Sequence, residues 1–234
     1  MIIQGVSLKG VTVVDLPTIV TSGLQLYLDA GNTSSYPGTG TNWTDLSGNG
    51  RHGTLTSGPT YSATNRGSIV FDGSDDFVQC SGSLTVTAAT FVIWLRRNGP
   101  QGSFDGIMYS RSTNATGISF FGTTNKISYT WNNAVNTYTW DSGLTIPDLT
   151  WCMVAVSVTS TSATAYLCQS SGITSATNIV SHTSTVLDDI KLAQDDLGGR
   201  FFNGNIAIAQ LYNVALSAGQ VSQNFEADRA RFGI

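Results

Sequence analysis

The sequence predicts an all-β protein, an antiparallel β-sandwich or jelly roll with a short helix at its C-terminal end. Short runs rich in β-branched and aromatic residues recur along the chain. Turn signals separate these runs at Asn49-Gly50, Asp72-Gly73, Asn98-Gly99 and Asn203-Gly204. Only the segment after Ser217 combines helix capping residues with apolar residues at helical spacing.

The predicted strands are short and regularly punctuated, which is typical of an antiparallel sandwich. They are residues 24–28, 68–71, 77–80, 90–97, 106–111, 117–121, 126–131, 151–158, 163–169 and 202–212. Residues 159–163 are interpreted as the turn between two of them, which would place Cys152 and Cys168 on facing strands. The cysteines, with Cys80 as the third, have no metal-site spacing, and we expect free, buried thiols from a reducing cytosol.

The terminal helix is predicted by a capping box, because Gln220 follows Ser217 by three residues. Val221, Phe225 and Phe232 then fall near one helix face, and a glycine follows them in the position of a C-terminal cap. We interpret this helix as a structural element that closes one end of the domain.

The first 22 residues differ from the remainder of the chain. They are β-branched and partly alternating, with a break at Pro17 and an end at Gly23. They form either an additional edge strand of the sandwich or an arm that pairs with a neighbouring chain. We predict an N-terminal arm or docking strand over residues 1–22 and one domain over residues 23–234.

The composition excludes several classes of function. Charged residues make up 11% of the chain, against roughly 25% in typical soluble proteins, and the net charge is −4. Nucleic-acid binding is not expected, because no cluster of lysine and arginine could follow a phosphate backbone. Membrane insertion is not expected either, because no apolar run reaches the length of a membrane span.

Motifs at both ends of the chain resemble one superfamily. The first group is GLQLYLDAGN, WTDLSGNGRHGTL and SIVFDGSDDFV, and the second is FFNGNIAIAQLYNVALSAGQVSQNFEADRARFG at residues 201–233. Together they resemble the laminin-G-like (concanavalin A-like) lectin/glucanase superfamily, which implies a jelly-roll sandwich. The sequence of the C-terminal group is most similar to the variant found in tailed-phage virion proteins. The superfamily includes glycan hydrolases, glycan binders and structural modules, so the resemblance alone does not assign a function.

A hydrolase is not expected from the inventory of carboxylates. A retaining glucanase of this superfamily needs two carboxylates about 5 Å apart, and its relatives take them from a glutamate-rich strand. This chain has a single glutamate, Glu226, which lies in the predicted helix. The adjacent pairs Asp75-Asp76, Asp188-Asp189 and Asp195-Asp196 do not help, because neighbouring residues on a strand point to opposite faces. No cofactor is predicted.

The resemblance also raises the question of a structural calcium ion. In many relatives the last strand reads Gly-x-Ile-Asp, and the aspartate faces the ion. Here the corresponding residues are Gly204-Asn205-Ile206-Ala207, so an alanine takes the place of the carboxylate. Asp72, Asp75 and Asp76 remain as oxygen donors. We expect these to cap turn amides instead, and we predict no metal site.

One segment has the composition of a contact surface. Residues 127–143 interleave aromatic rings with amides, and the candidate contact residues are Tyr129, Trp131, Asn132, Asn133, Tyr138 and Trp140. A hairpin joined at residues 132–136 would display all four aromatic rings together. Three interpretations remain open at this point: packing into the core, contact with a protein partner, or stacking against a sugar.

From these observations we expect a non-enzymatic bacteriophage structural protein, either a capsid decoration or a tail or fibre appendage. It would be assembled in the cytoplasm of the bacterial host and carried on the virion. Its arm at residues 1–22 would dock on other virion proteins, and homo-oligomers are an expected form. The alternative is a carbohydrate-binding module that attaches the virion to a host surface glycan.

Overall fold

The two longest strands, Ala89–Arg97 and Asn203–Tyr212, lie side by side at the centre of the larger of two antiparallel sheets. Nearly every residue of both strands is buried, because other elements cover both faces of this sheet. The protein is described by a computed structural model over residues 17–234. These residues form the two-layer sandwich that the sequence predicts, so the predicted all-β jelly-roll class with a short C-terminal helix is confirmed.

The described residues form seventeen strands. In chain order these are β1 Leu24–Asp29, β2 Asn42–Trp43, β3 Gly53–Thr56, β4 Thr60–Ser62, β5 Ser68–Asp72, β6 Phe77–Cys80, β7 Leu84–Val86, β8 Ala89–Arg97, β9 Gly106–Ser110, β10 Thr116–Phe121, β11 Lys126–Thr130, β12 Cys152–Val158, β13 Ala163–Gln169, β14 Gly172–Asn178, β15 Thr185–Leu187, β16 Ile190–Leu192 and β17 Asn203–Tyr212. The α-helices are α1 Val135–Tyr138 and α2 Ala218–Asp228, with short 3-10 turns at Thr64–Arg66 and Arg229–Phe232.

The larger sheet has eight strands in the order β14-β13-β12-β8-β17-β5-β4, with β1 also paired to β17. β5 pairs with the first half of β17 and β1 with the second half, so both lie along the same edge of that strand. The smaller sheet has seven strands in the order β11-β10-β9-β16-β6-β3-β2. β7 and β15 form a separate two-stranded ribbon.

Side chains that alternate along the central strands divide the apolar interior into two layers. Along β8, Phe91, Ile93 and Leu95 point between the sheets, whereas Val92 and Trp94 point to the outer side of the larger sheet. The layer between the sheets is the main core. The outer layer is covered by α2, whose Val221 and Phe225 pack on it, and this explains why β8 has no polar face.

The predicted capping box is present at the start of α2. Ser217 Oγ accepts a hydrogen bond from the Gln220 backbone N–H, and the Gln220 side chain accepts one from the Ser217 backbone N–H. Beyond the helix, Phe232 stacks on Trp94 with ring centroids 4.3 Å apart. The chain ends its turn at Gly233 in the left-handed conformation that the sequence predicts for a C-terminal cap.

The last part of the predicted arm packs on its own domain. Val20 is buried; its backbone N–H donates to Asn224 Oδ1 at 2.7 Å, and its carbonyl accepts from the Tyr212 hydroxyl at 2.9 Å. The carbonyl of Thr18 accepts from Gln223 Nε2 at 2.7 Å. Residues 18–20 therefore pack along α2. The remainder of the predicted arm, residues 1–16, lies outside the described residues.

The three cysteines are free and buried. Cys152 and Cys168 lie on the adjacent strands β12 and β13, as the sequence predicts. They point to opposite sides of the larger sheet, because Cys152 belongs to the core between the sheets and Cys168 to the layer under α2. Burial raises the pKa of the Cys168 thiol to about 12.

Candidate functional site

The predicted aromatic hairpin at residues 127–143 does not form, and that prediction was wrong. The first half is β11, but the second half is the single-turn helix α1. The chain then returns along the free edge of β11 without forming a regular strand: the backbone N–H of Ile127 donates to the Leu144 carbonyl, and that of Ile146 donates to the Asn125 carbonyl.

The reason lies in the residues that join the two halves. Asn132 and Asn133 both adopt left-handed backbone conformations, with φ of 51° and 53°, which asparagine tolerates better than most residues. Thr137 then holds the helical turn closed, because its hydroxyl accepts from the Trp131 backbone N–H and donates to the Ala134 carbonyl. A second strand would leave the Trp131 N–H without this partner.

Two of the predicted contact residues belong to the core. Tyr129 and Trp131 are each 1% exposed, and Trp131 Nε1 donates to the Thr183 carbonyl at 2.7 Å. Trp140 packs against the same core, with its ring 5.7 Å from that of Tyr129. These three rings stabilise the end of the smaller sheet and are not displayed as a platform. Asn132 is also engaged, because its amide donates to Thr183 Oγ1 and to the Ser184 carbonyl, each at 3.0 Å.

The other two predicted residues, Asn133 and Tyr138, line a cavity of about 250 Å³. We call it the aromatic–arginine cavity, and its further lining residues are Phe104, Tyr109, Arg111, Thr130, Asp195, Leu197 and Arg200. It combines ring faces with charged hydrogen-bonding groups, as sites for polar small molecules do.

The floor of the aromatic–arginine cavity is the outer side of the smaller sheet. Tyr109 on β9, Gly117 on β10 and Thr130 on β11 lie directly opposite one another in the strand register. Gly117 is required here, because a Cβ atom at this position would lie 2.3 Å from the Met108 carbonyl oxygen and 2.9 Å from the Tyr109 ring. The missing side chain leaves room for the Tyr109 ring on the sheet.

A charged cluster forms one wall of the cavity. The Asp195 carboxylate accepts from Arg111 Nε and, at 2.9 Å, from Arg111 Nη2. It also accepts from Arg200 Nη1 at 2.8 Å. The Asp195 side chain is only 1% exposed, whereas the arginine side chains are 21% and 25% exposed. The aspartate is therefore the buried anchor, and the two guanidinium groups face the cavity.

Aromatic rings hold both guanidinium groups in place. Arg111 lies over the Tyr109 ring at 5.2 Å from its centroid, and Arg200 lies over the Phe104 ring at 5.0 Å. Phe104 meets the ring of Tyr138 edge to face, with centroids 6.5 Å apart. The rings and the arginines thus form one connected wall that spans the smaller sheet, the loop before β9, the loop after β16 and α1.

The electrostatics of the aromatic–arginine cavity follow from this arrangement. Burial, with the Asp195 charge as a smaller cause, raises the pKa of Tyr109 to about 12. The hydrogen bonds that Arg111 donates to Asp195 raise the pKa of Arg111. Both groups therefore keep their protons at neutral pH, so they remain hydrogen-bond donors.

The sequence interpretation missed the charged half of this cavity. It treated Asp195 as one of an adjacent loop pair and did not consider Arg111, Arg200, Phe104 or Tyr109. These residues meet only because β9 pairs with β16, which a single sequence does not reveal. The available signal was the small number of basic residues in the chain, 11 lysines and arginines together, two of which are Arg111 and Arg200 at or beside predicted strands.

The aspartates considered for calcium lie in the turn after β5. Oxygen atoms of Asp72, Asp75 and Asp76 lie within 4.8 Å of one another. Asp76 accepts from the Asp72 backbone N–H at 3.1 Å, and Asp72 accepts from the Ser74 backbone N–H at 2.8 Å. This is the turn capping that the sequence predicts for two of them. Ala207, at the position of the relatives' ligand, is buried under α2.

Neither α-helix within residues 17–234 has the length and apolar character needed to cross a membrane.

Solved structures similar to this chain share its fold at low sequence identity. Domain 4 of AbnA, a GH43 extracellular arabinanase from Geobacillus stearothermophilus solved in complex with arabinotriose, has a TM-score of 0.65 at 16% identity, over 88% of this chain and 98% of that domain. Trypanosoma rangeli sialidase in complex with the inhibitor DANA has a TM-score of 0.64 at 12% identity. That match covers 94% of this chain and only 34% of the sialidase. The binding domain of Paraclostridial Mosquitocidal Protein 1 has a TM-score of 0.55 at 12% identity, over 89% of this chain and 52% of that one.

No curated protein sequence gives a significant match to this chain. The identities to the solved structures are too low to carry more than the fold. A family profile gives the decisive match, because Laminin_G_3, described as the concanavalin A-like lectin/glucanases superfamily, matches residues 72–222. That span is well over half of the chain, and it confirms the superfamily that the terminal motifs resemble. The protein therefore belongs to the Laminin_G_3 family of concanavalin A-like lectin/glucanase domains.

Proposed function

We propose that this protein is a non-catalytic carbohydrate-binding domain whose binding site is the aromatic–arginine cavity. The observation that carries the proposal is the joining of ring faces and guanidinium donors in one recess on the outer side of the smaller sheet. Sugar recognition uses this combination, because the C–H faces of the sugar pack on rings while its oxygens accept hydrogen bonds.

The cavity supports binding better than hydrolysis. Among the described residues that line the cavity, Asp195 is the only carboxylate. Both of its oxygens accept hydrogen bonds from arginine. A glycosidase needs a pair of carboxylates, one of them free to give up a proton to the leaving group. Both oxygens of Asp195 are already held by Arg111 and Arg200, so neither is free to contact the oxygen of a leaving group.

The likeness to known binding domains supports this choice of function. The AbnA domain was solved with arabinotriose bound, and the present chain spans nearly all of that domain. By contrast, the chain spans about a third of the sialidase, whose whole activity is therefore a weak guide.

The test is binding of the purified protein to a glycan array, followed by calorimetric titration of the best ligand. Tyr138→Ala removes a ring from the cavity wall, and we expect it to weaken binding at least about tenfold, which corresponds to roughly 1.4 kcal/mol. Val135→Ala is the matched control, because Val135 lies on the same short helix but is 62% exposed and does not line the cavity. The proposal fails if no glycan binds, or if Tyr138→Ala binds as tightly as the unchanged protein.

A second proposal, which is compatible with the first, places this domain on a phage virion as a capsid decoration or a tail or fibre appendage. It is supported by the similarity of residues 201–233 to the endings of tailed-phage virion proteins and by the low charged fraction of 11%. In this proposal the N-terminal arm docks on other virion proteins, and the domain forms homo-oligomers.

The structure sharpens the experiment for the virion proposal. Val20 is buried against α2, so a deletion of residues 1–22 would damage the domain itself. A deletion of residues 1–16 keeps those contacts. We expect this shorter deletion to abolish incorporation into purified particles while the unfolding temperature stays unchanged. Full incorporation would exclude the arm as the docking element.

A further inference from the structure

We propose that the aromatic–arginine cavity selects sugars that carry a carboxylate, such as uronic acids, over neutral sugars. This inference rests on the proposed carbohydrate-binding function and adds the class of ligand. Two observations support it. The charged groups that face the cavity offer hydrogen-bond donors, and Asp195, the one carboxylate among the lining residues within 17–234, has no oxygen without an arginine partner.

The acceptor capacity of Asp195 is used within the protein. Oδ1 accepts from Arg111 Nε, and Oδ2 accepts from Arg111 Nη2 and Arg200 Nη1. The Asp195 side chain is only 1% exposed, so an incoming sugar hydroxyl has no access to it. A neutral sugar, which needs partners for its hydroxyl protons as well as for its oxygens, finds no charged acceptor here.

The donors are available. Arg111 Nη1 and both Nε and Nη2 of Arg200 have no hydrogen-bond partner among the described residues. Both guanidinium groups are stacked on rings, at 5.2 Å and 5.0 Å from the centroids, so they are oriented before a ligand arrives. Guanidinium groups match the geometry of a carboxylate and form charge-assisted hydrogen bonds with it.

The balance of charge in the wall is positive. Two guanidinium groups and one carboxylate leave one unit of positive charge facing the cavity. Two further acidic groups lie close enough to interact with these arginines. Asp196 interacts with Arg111 but pairs with Lys191 at 2.7 Å. Asp105 interacts with Arg200, but it is buried and accepts from the Gly102 backbone N–H, and burial raises its pKa, which favours its neutral form. A carboxylated sugar would bring the missing negative charge and place its ring against Phe104 and Tyr138.

The test uses pairs of probes that differ only in charge. Uronic-acid oligosaccharides are compared with the same oligosaccharides after methyl esterification, by calorimetric titration at low and high salt. We expect the acids to bind at least about tenfold more tightly than their esters, and we expect this preference to decrease as salt screens the charge. Equal binding of acids and esters would overturn the inference.

Arg200→Gln tests the assignment to this cavity. It removes one of the two positive charges that share Asp195, while Asp195 keeps its two bonds to Arg111, so we expect the fold to be retained and the preference for acids to be lost. Arg96→Gln is the control, because Arg96 lies on β8 of the larger sheet, where it bonds the Leu149 carbonyl. If Arg200→Gln keeps the full preference, the inference is wrong.

The probes separate this inference from the proposed function. If neutral sugars bind as tightly as carboxylated ones and Tyr138→Ala abolishes their binding, the carbohydrate-binding function holds and the preference for carboxylates is wrong. If sulphated sugars bind and carboxylated sugars do not, the assignment to carboxylates is again wrong. If no sugar binds at all, both proposals fail.

Discussion

The hydroxyl of Tyr129 lies 3.0 Å from Nε2 of His182, inside a buried network that reaches α1. On its other side, His182 Nδ1 lies 2.9 Å from the Thr159 carbonyl, which can only accept, so Nδ1 carries the proton and Nε2 accepts from Tyr129. Asn178 Nδ2 donates to the same Tyr129 hydroxyl and to the Asn136 carbonyl. The helix that carries Tyr138 is therefore tied to the core through Asn178 and Tyr129, and the Tyr129 hydroxyl donates in turn to a neutral His182.

The first prediction is that acid weakens the domain through His182. Burial lowers the pKa of His182 below its usual value, so the folded state binds the proton less readily than the unfolded state does. The contribution to stability is then complete above about pH 6.5 and is lost as the pH falls through the folded-state pKa. His182→Gln should flatten this dependence in thermal unfolding between pH 7.5 and pH 5. Equal slopes for the two proteins would contradict the assignment.

The hydroxyl at the centre of the network can be tested directly. Tyr129→Phe keeps the ring but leaves His182 Nε2 and one Asn178 amide proton without this partner. We expect a loss of about 1–3 kcal/mol in the free energy of unfolding. The control is Thr139→Ala, at an exposed residue that directly follows α1. Denaturant titration measures both variants.

A second titration acts in the opposite direction. Oδ2 of Asp228 is buried without a hydrogen-bond partner among the described residues. Burial, with Asp29 as the next cause, raises the pKa of Asp228 to about 6. Its contribution to stability is therefore complete below the unfolded-state pKa and is lost as the pH rises through about 6. We expect Asp228→Asn to raise the free energy of unfolding by roughly 1–3 kcal/mol at pH 7.5 and to leave it nearly unchanged at pH 4. A variant less stable than the parent at pH 7.5 would refute this.

Arg231 should be the most sensitive charged residue near the C-terminus. Its side chain is 6% exposed and donates to Asp29 Oδ1 at 2.6 Å, to the Asn65 carbonyl at 2.8 Å and to the Gly67 carbonyl at 2.6 Å. Arg231→Gln leaves the Asp29 carboxylate without its partner, and we expect a loss of about 3–5 kcal/mol in denaturant titration.

Arg229 provides the matched control for Arg231. It lies two positions away and pairs with Glu226 at 2.9 Å, but both side chains are substantially exposed. Solvent screens this pair, so Arg229→Gln should change the free energy of unfolding by less than about 1 kcal/mol. Similar losses of unfolding free energy for Arg231→Gln and Arg229→Gln would contradict the expectation that burial makes the Arg231 contacts the stronger ones.

The contact at Gly67 makes a further prediction. A Cβ atom at Gly67 would lie 2.3 Å from the Ala30 carbonyl oxygen, and φ is +126°. At Gly48, φ is also positive, at +85°, but no atom of residues 17–234 lies within 4 Å of the added atom. Gly48→Ala should therefore lose only about 1 kcal/mol from backbone strain, whereas Gly67→Ala should lose clearly more. Thermal unfolding of both variants tests this, and equal losses would contradict the contact.

The elements with strong local signals could be predicted from the sequence. Phe77–Cys80 has the predicted bounds, and the helix after Ser217 begins with the predicted capping box. The edge strand Gly172–Asn178 was missed, because nearly all of its residues are exposed and the sequence GITSATN therefore shows no apolar alternation. This edge strand forms without a buried face, because pairing with β13 supplies its backbone hydrogen bonds.

The residues of the candidate site also divide into those that the sequence could indicate and those that it could not. Tyr138 and Asn133 could be found from composition alone, but α1 was interpreted as a strand because a single helical turn is too short to show a period. Arg111 and Asp195 are 84 positions apart, and their contact depends on the order of strands in the smaller sheet. Strand order follows from the packing of the whole domain, which no local pattern encodes.

The packing of Val20 against α2 has a consequence for how the domain can be held. Both lie behind the larger sheet, and the aromatic–arginine cavity opens on the outer side of the smaller sheet, across the thickness of the sandwich. A partner attached through the residues before Pro17 would therefore hold the domain on the side of the larger sheet. The aromatic–arginine cavity then opens on the side away from the attachment. A large polymer could reach it there without contacting the partner that holds the domain.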